Sequence, residues 1–189
     1  MASAPTHIVA AGAIAAGFHR PGVPWHLWLW GAVLAVAPDF DVIGFRLGIA
    51  YGDPLGHRGL SHSLFAAAAV SGLVMVCCYR AGAGILSRGR VWLFFFLAMA
   101  SHGILDAFTN GGLGIAFFAP FSNARYFFPI RPLEVSPLSI TGFFTRDGLS
   151  ILASELRWVW APSVALAASV FAYRYWRRSR SAAALPVGR

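Results

Sequence analysis

Four short polar islands hold most of the side chains able to bind a metal ion. They are Thr6-His7, Pro38-Asp39-Phe40-Asp41, the run from His57 and Arg58 through Ser61, His62 and Ser63, and Ser101-His102 through Asp106. Four of the six histidines and three of the seven acids lie in them. His102 and Asp106 are four apart, so on a helix both side chains share one face and reach one ion. His57 and His62 flank Arg58 and Ser61 after a tight loop rich in Gly and Pro, with Ser61 read as the N-cap of the following helix and His62 in its first turn. Asp39 and Asp41 follow the break expected at Pro38 and point to different sides: one ligates directly, with Asp39 favoured, and the other orients a histidine or caps a backbone group. Nitrogen and carboxylate ligands without thiolate suit Zn, Mn or Fe. The set His7, Asp39, His57, His62, His102 and Asp106 exceeds the needs of one tetrahedral ion, so two divalent metals, as two Zn, are expected. Such a site activates water for hydrolysis and clamps a phosphoryl displacement.

These islands interrupt a chain that is otherwise membrane-like. Of its 189 residues 58% are hydrophobic and only 12% charged, with mean hydropathy +0.64, whereas a soluble domain is nearer half apolar and a quarter charged. An all-α integral membrane protein of about five helices follows, with the metal site at helix ends on one face. Apolar runs and breakers give helices over roughly 5–18, 24–37, 61–79, 91–109 and 150–176. The first two are short: about 13 residues cover about 20 Å of a hydrocarbon layer of about 30 Å. They must tilt, be extended by neighbouring turns, or pack behind longer helices. Residues 1–180 form one membrane-embedded domain, and 181–189 are expected to be a disordered tail. The first residues lack a basic segment, so no cleaved signal is expected.

All fifteen basic residues are arginine, and the net charge is +8. They are scattered between apolar spans, so anionic lipid rather than nucleic acid is the expected partner. Alternating the five helices across a bilayer gathers the islands and all seven acids at one face. The opposite face receives Arg20, Arg80, Arg88, Arg90, Arg174, Arg177, Arg178, Arg180 and Arg189. By the positive-inside rule that acid-free face is cytoplasmic, the N-terminus is outside, the C-terminus is inside, and the site faces outward across the inner membrane. Arg58 is read as a catalytic clamp on the substrate anion, and Asp39 or Asp41 as the base. Asn110, Arg125, Tyr126 and Arg131, after the fourth helix, are read as contacts to an anionic head group.

At Thr6-His7, Pro38-Asp39-x-Asp41, the His57-to-Ser63 run, Ser101-His102-x-x-Leu105-Asp106 with Thr109-Asn110, and Arg125-Tyr126 to Pro132, the chain resembles membrane-bound metal-dependent hydrolases of the YdjM type. Those are in turn similar to the zinc-dependent phospholipase C and P1 nuclease fold. The resemblance implies ligand roles for His7, Asp39, His62, His102 and Asp106, with His57 a further candidate. It departs in one respect: no histidine follows His102, so a third zinc is not implied. The expected function is hydrolysis of a phosphoester or related bond in a lipid or lipid-linked substrate. The alternatives are a non-catalytic metal-binding or transport protein and a metal-stabilised structural membrane protein.

Overall fold

The computed structural model describes residues 1–79, 85–137 and 146–183. Six α-helices account for most of them: α1 (Ala4–Phe18), α2 (Trp25–Val36), α3 (Leu64–Cys78), α4 (Arg88–Ala107), α5 (Arg146–Glu155) and α6 (Ala161–Ala183). Among the described residues there are no strands, only two isolated bridges, Thr109 with Leu133 and Ile115 with Tyr126.

Helix α4 is the axis of the bundle, packed by α1, α2 and α3, while α6 lies along α1. Phe94 and Phe95 of α4, buried against Leu27 and Leu34 of α2 and Val91 and Met99 of α4 itself, form the centre of the core. Gly31 makes that approach possible: a Cβ there would stand 2.3 Å from the tip of Phe94. Outward faces are apolar too, with Leu29, Val33, Leu73, Val76 and Leu93 exposed, as bilayer-facing surfaces require.

Helix α4 begins at Arg88, capped by Ser87, rather than near 91, and three other parts of the chain differ from the sequence expectation, each for a local reason. Pro38 does not end the second helix. It lacks the N–H that the α-ladder needs next, but its fixed φ suits a tighter turn, and the chain runs on as a 3-10 helix over Ala37–Leu47. Trp25–Leu47 thereby becomes a continuous 23-residue apolar helix, long enough to cross a membrane, as is Arg88–Ala107. Helix α3 starts at Leu64 because Ser63, not Ser61, accepts the cap hydrogen bond, from Ala66 N at 3.0 Å. The last helix begins earlier than expected, passes through a π-helical turn at Leu156–Trp160, and runs to Ala183, so the expected tail is helical at its start. Positions 184–189, with Arg80 and Arg189 of the charge argument, lie outside the described residues.

Candidate metal centre

The islands meet at the end of the bundle where α1 and α3 begin and α4 finishes. His7 comes from the first turn of α1 and Asp39 from the 3-10 segment. His62 ends a short 3-10 turn, Leu60–His62, and His102 and Asp106 lie on the last turns of α4. Gly103 allows the His62 turn to seat there, since a Cβ at 103 would lie 2.9 Å from the His62 carbonyl oxygen. His7, His62, His102 and Asp106 are buried, and Asp39 nearly so.

Hydrogen bonds fix which nitrogens face inward. His102 Nδ1 is 2.7 Å from the carbonyl oxygen of Ala35, which only accepts, so Nδ1 carries the proton and Nε2 presents a lone pair. His62 Nδ1 faces the Asp41 carboxylate at 3.2 Å and Ser61 Oγ at 2.9 Å. Its Nε2 likewise points inward, 3.1 Å from His102 Nε2. Asp39 Oδ1 lies 3.2 Å from His102 Nε2 and 3.7 Å from His62 Nε2, and Asp106 Oδ2 lies 3.8 and 3.9 Å from the same two atoms. Two imidazole lone pairs and two carboxylates thus converge on one point, an arrangement that repels itself unless a cation or proton sits among them. Burial opposes a charge on His62, yet Asp39 and Asp41 hold its pKa above the ordinary value.

Orphaned atoms mark the same point. Both nitrogens of His7, both oxygens of Asp39 and Asp106 Oδ2 are buried without a hydrogen-bond partner, which natural proteins rarely tolerate. Tetrahedral Zn bound at about 2.0–2.1 Å separates its nitrogen ligands by roughly 3.3 Å, close to the observed approach. His7 lies beside this set, its ring stacked on His102 at 3.7 Å and its Nε2 3.6 Å from Asp106 Oδ1. Asp39, His62, His102 and Asp106 therefore fit a divalent ion, with His7 within reach.

Asp41 and His57 form a different arrangement. Asp41 Oδ1 pairs with His57 Nδ1 at 2.6 Å, and Oδ2 accepts from Ser61 Oγ and, at 3.2 Å, from Arg58 N, while facing His62 Nδ1. Asp41, His57 and His62 are close enough to form a second ligand trio. Unlike the first cluster, the atoms of this one already satisfy one another. Asp39 and Asp41, two apart on a helix of three residues per turn, grip His62 from its two nitrogens.

Of the remaining expected site residues, Arg58, Arg125 and Asn110 are occupied by loop architecture. Arg58, read from sequence as a clamp on substrate, is fully buried: Nη1 donates to Gly111 O at 2.7 Å, Nη2 to Thr109 Oγ1 at 3.0 Å, and Nε stands 3.4 Å from Asp106 Oδ2. Its backbone has φ +64°, and the neighbouring Gly112 has no room for a side chain beside the guanidinium. Arg125 donates to the carbonyls of His57, Tyr51 and Asp53. Asn110 Oδ1 accepts from Val135 N at 3.0 Å. Tyr126 and Arg131 are exposed, Arg131 lying over the Phe127 ring at 4.7 Å.

One buried group escaped the sequence reading. Glu155 is fully buried and accepts from Ser3 N, Ser3 Oγ and Thr6 Oγ1, while Trp160 Nε1 donates to Thr6 Oγ1 at 2.7 Å. This carboxylate at the start of α1 fixes the turn that presents His7, and Ala2 N adds a bond to Asp106 Oδ1 at 2.7 Å. An acid within an apolar helical run was its available signal.

The family model described as YdjM inner membrane protein matches residues 1–180. The chain is 36% identical over 175 residues to Inner membrane protein YbcI of Escherichia coli (strain K12), across 92% of this chain and 96% of that protein. No solved structure matches the chain.

Proposed function

The chain belongs to the YdjM inner membrane protein family, and we propose that it is a metal-dependent hydrolase acting on a phosphoester or related bond in a lipid or lipid-linked substrate. The observation that carries this reading is the convergence of His62 Nε2, His102 Nε2, Asp39 and Asp106 on one point, with buried oxygens left unpartnered. Asp39, His62, His102 and Asp106 would hold a divalent ion, Zn by the chemistry of the set, which would supply the Lewis acidity that activates water and polarises the bond to be broken. His62 and His102 hold their inward lone pairs through the outer bonds to Asp41 and Ala35 O. Asp39 is the ligand closest to solvent, its side chain 12% exposed, and its oxygens have no hydrogen-bonded partner. Its oxygens, buried but unengaged, are thus freer than those of Asp41 to take a proton from water that enters the site. Asp41, engaged with His57, Ser61 and Arg58 N, acts as the orienting carboxylate. Arg58 balances Asp106 from within, leaving exposed Tyr126 and Arg131 as the groups free to meet a head group. In this reading the site faces the outer side of the inner membrane, with the arginine-rich end of α6 in the cytoplasm.

A second reading is favoured by the burial of Arg58: the ion joins α1, the 3-10 segment and α4 and serves the fold alone. Metal analysis of detergent-purified chain, with hydrolysis of phospholipid and lipid-linked phosphate panels in mixed micelles, separates the two. Stoichiometric metal with metal-dependent turnover supports the hydrolase. Metal without turnover of any member of the panel leaves the scaffold, and a chain that neither carries nor takes up metal ends both readings.

A further inference from the structure

The end of the bundle remote from the metal cluster has features that hydrolysis does not use. Three adjoining cavities of about 700, 250 and 290 Å³ share Arg174 as a wall, and Arg20, Arg90, Arg177 and Arg178 border one or more of them. Arg174 itself closes α1, donating to the carbonyls of Ala16, Gly17 and His19 at 2.6–2.9 Å. Among the described residues the guanidinium groups of Arg20, Arg177 and Arg178 have no hydrogen bond or ion pair, and no acid lines these cavities. Uncompensated arginines gathered around a concave surface suit a phosphate.

The charge is continuous with an apolar groove. A fourth cavity, of about 190 Å³, runs between α1 and α6 past Gly12, Ala16, Trp28, Ala167 and Phe171 and shares His19 and Phe171 with its basic neighbour. Gly12 and Gly17 lie within α1, where glycine destabilises a helix relative to alanine. No neighbour requires them: a Cβ at either position would meet no heavy atom within 4 Å. Their missing side chains leave the groove open. A second copy of this chain is a poor occupant, because it would bring another set of arginines against this one with no acid between them.

We infer that the cleft between α1 and α6 binds one anionic phospholipid, its phosphate at Arg177 and Arg178, which line one cavity together, and an acyl chain along Gly12 and Ala16 against Ala167 and Phe171. The site is separate from the metal cluster and stands whether or not the chain is a hydrolase.

The test uses the full chain, delipidated in neutral detergent and titrated with short-chain phosphatidylglycerol or phosphatidylcholine while native mass spectrometry counts bound lipid. One phosphatidylglycerol binds, at least about tenfold tighter than phosphatidylcholine, and millimolar inorganic phosphate does not displace it. The double substitution Arg177→Gln with Arg178→Gln weakens it by about ten- to thirtyfold, from the attraction of two arginines near a membrane surface. Gly12→Leu fills the groove and weakens it as well, without lowering the melting temperature, which excludes misfolding as the cause. Metal content stays unchanged in both variants. Equal binding of phosphatidylcholine, displacement by inorganic phosphate, a second protein copy in place of lipid, or unchanged affinity in either variant overturns the inference.

Discussion

Asp41→Asn distinguishes an orienting carboxylate from a ligand. In the structure each Asp41 oxygen accepts: Oδ1 from His57 at 2.6 Å, Oδ2 from Ser61 and from Arg58 N at 3.2 Å, with His62 Nδ1 also at 3.2 Å. Asparagine keeps one oxygen and sets an NH2 group in place of the other. The Ser61 hydroxyl can turn and accept from that group, but the Arg58 backbone N–H and the His62 Nδ1–H cannot, so His62 loses its anionic partner. Replacing such an outer-shell group weakens metal binding by about 10–100-fold, equivalent to about 1.4–2.8 kcal/mol, within the range for one charge-assisted hydrogen bond. Metal affinity is read by competition with a chromophoric chelator on detergent-purified protein, and stoichiometry by elemental analysis of the same samples. The expected outcome is weaker binding at unchanged stoichiometry. A fall from two ions to one, with the remaining ion held as tightly as before, would show that Asp41, His57 and His62 hold a second metal themselves. An affinity within threefold of the parent would refute the orienting role.

Three further outcomes follow from the same geometry. His102→Ala removes a ligand whose Nδ1 is anchored on Ala35 O, so metal content should fall well below stoichiometric. The added metal should then no longer raise the melting temperature, where in the parent a thousandfold excess over Kd gives about 4 kcal/mol; unchanged metal content would remove His102 from the site. Arg58→Met leaves Asp106 buried without its cation, a loss of about 3–5 kcal/mol seen as poor expression or a much lower melting temperature, and a fully stable, metal-loaded variant would restore Arg58 to the role of substrate clamp. A reporter fused after Arg180 should be cytoplasmic and a cysteine introduced near Asp147 should be labelled from outside; labelling of the tail from outside would invert the orientation and place the site in the cytoplasm.

Residue spacing and helix polarity make the convergence of the islands legible in the sequence. The i, i+4 pair on α4 had to share a face, and alternation across a bilayer put the other islands at the same end. What spacing could not decide was how each polar atom is satisfied. Pro38 reads as a stop because it interrupts an α-ladder, yet the same fixed φ lets a 3-10 helix continue and turns Asp39 and Asp41 to opposite nitrogens of His62. Ser61 and Ser63 are equally good caps in sequence, and the competitor that separates them is Asp41, which engages the Ser61 hydroxyl and leaves Ser63 to cap α3. Arg58 reads as a clamp on a substrate anion because a guanidinium beside a His-rich island suits phosphate. Its burial depends on partners at Asp106, Thr109 and Gly111, about 50 residues further along the chain.

Glu155 extends this logic to the entrance of the fold. A buried carboxylate is tolerated only when its acceptor capacity is met, and here Ser3 and Thr6 meet it at the start of α1. His7 follows Thr6 directly, so the group that anchors this turn also sets where His7 stands against His102. The candidate metal centre is therefore held in place on two sides, by Asp41 behind His62 and by Glu155 behind His7. Neither carboxylate belongs to the Asp39, His62, His102 and Asp106 group, yet each positions a histidine at it.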